Sequence, residues 1–325
     1  MKAKLCLGIE STAHTFGVGI VSSSGKVLAN VLKPVVTEKG GLIPAQVAEH
    51  HVEVCDEAIR EALGAAKIAM KDVKLISFSQ GPGIGHALRV GAMAARTLAL
   101  LHKIPLVGVN HCIAHLEIGK LLTAAKDPAL LYVSGANTQI IAFEDEKYRI
   151  FGETLDIGVG NMLDVFAREI GFGFPGGPKI MEAASKGKKY VELPYVIKGM
   201  DVSFGGILTN ITEKYHRGSY AKEDLCYSLQ ETVFAMLVEA AERAMAQCSK
   251  KELLLGGGVA SNSRLQEMCS IMCKERGARM FVPERQFLVD NGAMIAWLGI
   301  LEHNKGNETA IEKSGIRPYW RTDED

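Results

Sequence analysis

The sequence predicts a duplicated α/β protein built as two lobes, and three observations lead to this prediction. The chain has 325 residues, too many for one small core. Two β-rich openings, at residues 5–31 and 130–151, share one plan of strand, turn, strand, turn and strand. After each opening the apolar pattern changes to helical spacing. We therefore expect an N-terminal lobe over residues 1–128 and a C-terminal lobe over residues 129–325, with the final helix as a candidate to pack back on the first lobe.

The individual elements follow from apolar runs bounded by turn residues and from helical periodicity. In the first half we expect strands over residues 5–10, 15–21 and 26–31, a helix over 49–63 and a buried strand over 75–79. In the second half we expect strands over residues 130–134, 138–143 and 148–151, a helix over 229–245 and a buried strand over 253–255.

The composition is that of an ordinary globular protein, with 47% hydrophobic and 23% charged residues. No apolar run is long enough to span a bilayer, and the first ten residues run into a strand pattern rather than a signal peptide. The seven cysteines are scattered, which fits buried thiols in a reducing compartment. We expect a cytoplasmic protein without a membrane partner.

The charge balance bears on nucleic-acid binding. The 37 Lys and Arg residues equal the 37 Asp and Glu residues, whereas a protein that grips RNA alone usually has a basic surplus. Contact with nucleic acid would need a partner or a local patch. Residues 186–189, Lys-Gly-Lys-Lys, are a candidate patch, although a solvated loop is the more ordinary interpretation.

The most informative segment is residues 105–115, in which a β-like run ends in a helix start that contains His111 and His115. Positions i and i+4 share a helix face, so both imidazoles can reach one ion. Cys112 follows His111, so the Glu that activates water in a His-Glu-x-x-His metalloprotease is absent. Taken alone, such a pair is more often two unrelated helix histidines than a ligand set.

Further ligand candidates lie far along the chain. Asp290 precedes an apolar helix over residues 293–301, where Asp is usually an N-cap. It can equally be the carboxylate of a His/His/Asp metal set, with Tyr132 as a further oxygen ligand. Mixed nitrogen and oxygen ligation suits Fe or Zn.

Small-residue turns follow three predicted strands, at residues 80–85, 134–138 and 256–262. Such turns let backbone N–H groups face an anion or a flat ligand, and Asn262 can add a hydrogen bond. Together they indicate a nucleotide cleft more strongly than any one does, and we expect it where the strand-end turns of the two lobes converge. A rigid Pro- and Gly-rich loop, residues 172–178, follows a helical segment that contains Asp164.

These motifs, taken together, resemble the universal tRNA adenosine threonylcarbamoyltransferase family, in its archaeal and eukaryotic branch (the catalytic subunit of the KEOPS complex). The resemblance covers nearly the whole chain. The matching motifs are residues 8–14, 37–44, 49–51, 79–83, 108–115, 132–138, 152–156, 160–164, 199–204, 256–262 and 290–294.

The resemblance implies an actin/hexokinase/Hsp70-like (ASKHA) nucleotide-binding fold, which agrees with the duplicated plan. It implies transfer of a threonylcarbamoyl group from threonylcarbamoyl-AMP to N6 of the adenosine beside the anticodon, in tRNAs that read codons beginning with A. By position, it implies one metal ion, Fe²⁺ first and Zn²⁺ as the alternative, and an adenylate or ATP in the cleft. The implied metal ligands are His111, His115, Tyr132 and Asp290, of which the two histidines and Asp290 are the implied catalytic residues. The implied substrate contacts are Tyr132, Val133, Ser134, Gly135, Ala136, Asp164, Gly177 and Asn262.

The resemblance also implies partners: tRNA, a small atypical protein kinase and small accessory subunits of the KEOPS complex. Two departures from the family pattern stand out. Ala136 occupies a position that is often Gly, and Met181 occupies a position where we expect an acidic substrate contact. Glu182 lies one step further, about 100° round a helix, so it is a doubtful replacement.

Three other functions stay open at this point. An ATP-dependent small-molecule kinase of the same fold would share the glycine turns without needing the His/His/Asp set. A non-catalytic scaffold subunit would need neither the glycine turns nor the His/His/Asp set. A metalloprotease is disfavoured by Cys112.

Overall fold

The computed structural model describes residues 4–36 and 43–324. Residues 1–3, residue 325 and most of the predicted motif at 37–44 lie outside this range. The described chain divides into two compact units. The first contains residues 4–36, 43–122 and 289–324, and the second is Thr123–Leu288.

The strands are β1 (Leu5–Glu10), β2 (Thr15–Ser22), β3 (Val27–Pro34), β4 (Val73–Gly81), β5 (Leu106–Asn110), β6 (Ala129–Val133), β7 (Thr138–Glu144), β8 (Lys147–Glu153), β9 (Ile197–Lys198), β10 (Asp201–Val202), β11 (Glu252–Gly256) and β12 (Arg279–Phe281). The helices are α1 (Pro44–Ala66), α2 (Gly85–His102), α3 (His111–Leu122), α4 (Val159–Glu169), α5 (Gly176–Ala184), α6 (Gly205–His216), α7 (Lys222–Gln247), α8 (Ser263–Glu275), α9 (Arg285–Leu288) and α10 (Gly292–Asn304).

Each unit is built on a five-stranded mixed sheet. The first has the order β3-β2-β1-β4-β5, and the second, read from the corresponding edge, has the order β8-β7-β6-β11-β12. In both, the first three strands form antiparallel pairs and the last two add in parallel. The same strand order occurs twice, so the predicted duplication is confirmed.

The first sheet is buried on both faces, which is why β1 and β2 are apolar almost throughout. Side chains alternate between faces along a strand. Leu7, Ile9 and Val18 join the apolar cluster that also contains residues of α1 and α2. The alternate positions, Gly8 and Gly19, face α10 instead.

Glycine lets α10 approach this sheet backbone to backbone. A Cβ on Gly8 would lie 2.2 Å from the Ala296 nitrogen, and one on Gly19 would lie 2.1 Å from the Ala293 nitrogen. Likewise, a Cβ on Gly292, the first residue of the helix, would lie 2.1 Å from the Gly19 nitrogen. Larger side chains would push the helix off the sheet, so these glycines fix where α10 begins.

The second unit has its own apolar core. Its longest helix, α7, packs against β6, β7 and β8 on one side and α5 on another. Most predicted elements are present, with longer bounds: the helices predicted at 49–63 and 229–245 are parts of α1 and α7. Among the helices of the described residues, none is both long enough and apolar enough to cross a bilayer.

Candidate functional site

The helix α3 presents the predicted histidine pair. It begins at His111, directly after β5, and Asn110 caps it by accepting the N–H groups of Cys112 (2.9 Å) and Ile113 (3.3 Å). The rings of His111 and His115 lie 4.9 Å apart between centroids, at 82° to each other. Both residues are only 2% exposed. The i, i+4 spacing therefore places two imidazoles side by side in the interior of the first unit.

Asp290 lies against both rings. Asn291, rather than Asp290, caps α10, because its side-chain oxygen accepts the N–H of Met294 at 3.0 Å. The Asp290 Oδ1 atom lies 3.3 Å from the Nε2 atom of His111 and 3.3 Å from that of His115. The sequence left two roles open for Asp290, an N-cap of α10 or the carboxylate of a His/His/Asp set. The geometry favours the second role.

The three side chains fit a metal ion. One ligand atom of each lies within 4.8 Å of the others, and no second group of this kind occurs among the residues that the structure describes. Two imidazole nitrogens and a carboxylate oxygen form a mixed donor set that suits Fe²⁺ or Zn²⁺. Three protein ligands also leave coordination positions for substrate oxygens.

The electrostatics favour the forms of these residues that bind metals. Burial raises the pKa of Asp290, but attraction to His111 and hydrogen bonds to both imidazoles hold that pKa well below its usual range. Burial also lowers the pKa of His115, and this effect outweighs its hydrogen bond to Asp290. The result is an ionised carboxylate beside a neutral imidazole, as metal ligation requires.

Glu10 also contacts the cluster, although no pattern in the sequence marked it as a ligand or a ligand's partner. It is the last residue of β1 and is 0% exposed. Its Oε2 atom lies 2.9 Å from Nδ1 of His111, and its Oε1 atom accepts both the N–H and the hydroxyl of Thr12 at 2.5 Å. The signal that could have identified Glu10 is its place in the sequence: it is a carboxylate at the end of an apolar strand, within the motif at residues 8–14.

The second unit contains the predicted substrate contacts. Tyr132 and Val133 end β6 and are buried, whereas Gly135 and Ala136 are exposed in the following turn. The start of α4 fixes this turn, since the N–H of Gly160 donates to the Ser134 carbonyl at 3.0 Å. The tip of the turn is thus presented on a rigid support.

Asp164 and Gly177 meet at the start of α5. The Oδ1 atom of Asp164 accepts the Gly176 N–H at 2.7 Å, which caps the helix from α4. Gly177 has open space where a side chain would stand. The two predicted residues are therefore neighbours at one helix N-terminus.

Asn262 has a structural task of its own. It caps α8 by accepting the Arg264 N–H at 2.9 Å, and its Nδ2 atom donates to Gln230 Oε1 at 3.0 Å. Its predicted hydrogen bond to substrate stays a prediction.

A groove of about 610 Å³ lies among α5, α7 and α8. Met181 lines it, whereas the Glu182 side chain is 73% exposed and pairs with Lys186 at 2.9 Å. Arg264 lies in the groove and is bound by Glu231 at 2.7 Å and by Glu267 at 2.7 Å. The full lining is Met181, Ala184, Ser185, Gly187, Tyr227, Gln230, Glu231, Ser263, Arg264 and Glu267.

Comparison with known sequences identifies the same family that the sequence motifs resemble. A family model described as TsaD, tRNA N6-adenosine threonylcarbamoyltransferase, matches residues 26–297. The chain is 56% identical over 320 residues to the tRNA N6-adenosine threonylcarbamoyltransferase of Thermococcus kodakarensis, covering 98% of each chain. It is 54% identical to a probable bifunctional tRNA threonylcarbamoyladenosine biosynthesis protein of Methanothermobacter thermautotrophicus, covering 98% of this chain and 60% of that one.

Solved structures show the fold. HypF of Thermococcus kodakarensis has a TM-score of 0.67 at 16% identity, over 93% of this chain and 48% of that one. Component A of the Acidaminococcus fermentans (R)-2-hydroxyglutaryl-CoA dehydratase has a TM-score of 0.57 at 13% identity, over 93% of this chain and 98% of that one. The predicted ASKHA-type fold is confirmed.

Proposed function

This chain belongs to the tRNA N6-adenosine threonylcarbamoyltransferase family, and from that premise we propose that it takes the threonylcarbamoyl group from threonylcarbamoyl-AMP. The acceptor is N6 of the adenosine next to the anticodon, in tRNAs that read codons beginning with A. The observation that carries the metal-assisted form of this proposal is the convergence of His111, His115 and Asp290 in a buried cluster.

The first unit would hold one divalent ion through His111, His115 and Asp290, with Fe²⁺ as the first candidate and Zn²⁺ as the alternative. When bound, such an ion supplies Lewis acidity, which polarises a carbonyl and offsets negative charge on a leaving phosphate. Tyr132 as a further ligand stays a prediction from the family resemblance.

The second unit would hold the adenylate. The exposed turn at Gly135 and Ala136 offers backbone groups, and Gly177 stands in open space at the start of α5, where helix N–H groups favour an anion. The groove lined by Met181 has room for a nucleoside.

Transfer would be direct. The adenosine N6 attacks the carbamoyl carbon, the bond from that carbon to the phosphate oxygen breaks, AMP leaves with the electron pair and N6 loses a proton. The sequence contains no Ser/His/Asp or Cys/His set that would form a covalent intermediate. Orientation must supply much of the acceleration, and aligned groups contribute roughly 7 kcal/mol or more.

Partners would complete the enzyme. We propose that a small atypical protein kinase and small accessory subunits, those of the KEOPS complex, assemble with this chain and share the tRNA contacts. An exposed apolar stripe on α2, formed by Met93, Leu100 and Leu101, supports the existence of a docked subunit.

The test is a transfer assay with threonylcarbamoyl-AMP made in situ, unmodified tRNA and the accessory subunits, with and without a chelator. We expect the modified nucleoside to form only with metal present. A kinase of the same fold would instead show chelator-resistant ATP turnover with a small alcohol, and a scaffold would give no product with every partner present.

The histidine pair gives the first prediction. The double variant His111→Ala/His115→Ala should lose bound metal and transfer together, because two of the three protein ligands are gone. Loss of a single supporting contact already weakens metal binding about 10–100-fold, so a larger loss is expected here. Metal content by elemental analysis and product by mass spectrometry measure the two effects.

A matched control replaces two histidines outside the cluster, His216→Ala/His303→Ala. His216 and His303 pair instead with Glu169 and Glu308. Metal content and transfer should stay at the wild-type level in this control. Full transfer in the His111/His115 variant would refute the metal role.

A further inference from the structure

We propose that Glu10 is a positioning residue of the metal site, whose carboxylate holds the His111 ring so that Nε2 is the nitrogen that ligates the metal. This inference rests on the metal site of the proposed function and adds a residue to it. Its basis is the pair of contacts that His111 makes through its two ring nitrogens.

The two nitrogens of His111 face different groups. Nδ1 lies 2.9 Å from Glu10 Oε2, and Nε2 lies 3.3 Å from Asp290 Oδ1. A carboxylate only accepts hydrogen bonds, so the Nδ1 atom carries the hydrogen that it donates to Glu10. Once Nε2 gives up any hydrogen it holds, its lone pair is directed at Asp290 Oδ1, so a metal ion between these two atoms can bind both.

The carboxylate of Glu10 is already engaged by its neighbours. It is 0% exposed, and both carboxylate oxygens are occupied by Thr12 and His111. Its task is therefore performed through His111. Metal-bound histidines usually donate their second N–H to a carboxylate or carbonyl in this manner, which sets ring orientation and raises ligand basicity.

Glu10 is also held in place by the sheet. The N–H of Ser11 donates to Ser79 Oγ at 3.0 Å, and the Thr12 carbonyl accepts the N–H of Ile84 at 2.7 Å. The segment after β1 is thereby tied to the end of β4 and to the start of α2. A ligand orienter on such a rigid support is pre-organised before any metal binds.

The variant Glu10→Gln tests the positioning of the His111 ring, because the glutamine side chain has the same shape as that of glutamate. The amide group must direct its NH₂ either at His111 Nδ1 or at the two Thr12 donors, so one favourable contact becomes a clash of donors. Glu10→Ala removes the carboxylate and leaves the neutral Thr12 hydroxyl, 3.3 Å from Nδ1, as the remaining acceptor. We expect the affinity for Zn²⁺ to fall about tenfold in Glu10→Gln and about 100-fold in Glu10→Ala.

The measurement is competition with a chromophoric chelator, using Zn²⁺ alone on the purified full chain, without tRNA. The visible spectrum of the Co²⁺-loaded protein reports the ligand set independently. The control is Glu252→Gln, a buried carboxylate of the second unit that accepts the N–H groups of Lys126 and Asp127. It should lose stability while keeping wild-type affinity for Zn²⁺.

A second readout is the tautomer of His111. Nitrogen-15 spectra of the Zn²⁺-loaded wild type should show the His111 hydrogen on Nδ1, and Glu10→Ala should lose this preference. A merely structural role for Glu10 would lower thermal stability without moving either the tautomer or the Co²⁺ spectrum.

The outcomes separate the two proposals. Wild-type Zn²⁺ affinity in both Glu10 variants overturns the positioning role and leaves the proposed function standing. Failure of the wild type to bind Zn²⁺ or Co²⁺ overturns both the positioning role and the metal-assisted mechanism. If metal data follow the expected order while the transfer assay gives no product, the positioning role stands and the proposed reaction falls.

Discussion

Met181 lines the groove of the second unit, at the position where the family resemblance leads us to expect an acidic contact to substrate. Its thioether cannot accept a hydrogen bond from a ribose hydroxyl as a carboxylate would. Met181→Glu should therefore tighten binding of an adenylate analogue about tenfold, since a hydrogen bond to a charged group contributes about 1.5–3 kcal/mol. Isothermal titration with AMP on wild type and variant measures the change.

Glu182 provides the matched control for this prediction. Its side chain is 73% exposed and pairs with Lys186, outside the groove lining. Glu182→Gln should leave AMP affinity unchanged. A loss of affinity in Glu182→Gln, or no gain in Met181→Glu, would show that the adenylate meets a different wall of the groove.

His51 makes the stability of the first unit depend on pH. Burial, followed by repulsion from His50, lowers its pKa from 6.5 to about 4, and its Nε2–H donates to the Ala13 carbonyl at 3.0 Å. Because the folded pKa is lower than the unfolded one, the unfolded state binds the proton more readily between pH 6.5 and 4. Stability should fall by about 3 kcal/mol as the pH drops through this window.

The variant His51→Phe isolates this contribution. It removes the titrating group while keeping an aromatic side chain beside Phe16, whose ring contacts His51 edge to face at 5.4 Å. Thermal midpoints between pH 7 and 4, with a chelator present, should fall less steeply in the variant than in the wild type. Parallel curves would refute the assignment to His51.

At the scale of elements, the position of α10 determines where Asp290 lies. The helix approaches β1 and β2 across Gly8 and Gly19, and Asp290 stands two residues before its first turn. Any side chain at these glycines would meet backbone atoms, which cannot move aside as a flexible side chain can. The position of Asp290 beside His111 and His115 therefore depends on the close contact between a helix and a sheet.

Gly8→Ala tests this dependence. The new Cβ would lie 2.2 Å from the Ala296 nitrogen, so α10 must shift. We expect a loss of about 3 kcal/mol of stability, at the upper end for overpacked cores, together with weaker Zn²⁺ binding. Denaturant unfolding and chelator competition measure the two effects.

Gly64→Ala is the control in the same unit. Gly64 lies in α1, and a Cβ added there would have no neighbouring atom within 4 Å, so alanine should stabilise the helix by about 0.5–1 kcal/mol. Equal behaviour of the two variants would show that the contact between α10 and the sheet is not limiting.

The elements themselves were largely predictable. The buried strands β1, β2 and β6 are apolar runs bounded by turn residues, and this local signal gave their positions closely. The bounds of α1 and α7 were not predicted closely. Apolar spacing marks the buried face of a helix, whereas the exposed ends of the helix carry no such pattern.

At the scale of the whole molecule, the balanced charge limits what this chain does alone. With 37 basic and 37 acidic residues, it has no net attraction for a polyanion such as tRNA. We expect the isolated chain to bind tRNA at least tenfold more weakly than an assembly with the partners proposed above, and with a shallower salt dependence. Filter binding at several salt concentrations tests this, and tight binding by the chain alone would refute the need for partners.

The amino-acid sequence alone predicts the duplicated α/β plan, the family and the ligand types of the candidate metal site. These properties are written in local patterns: apolar runs, the i, i+4 spacing of His111 and His115, and motifs of adjacent residues. The folded chain is needed to see that Asp290 lies against the histidines while Asn291 caps the helix. The same holds for the contact between Glu10 and His111, which are 101 positions apart in the chain. Such contacts depend on how α3, α10 and β1 pack, and packing is set by long-range complementarity that no local pattern records.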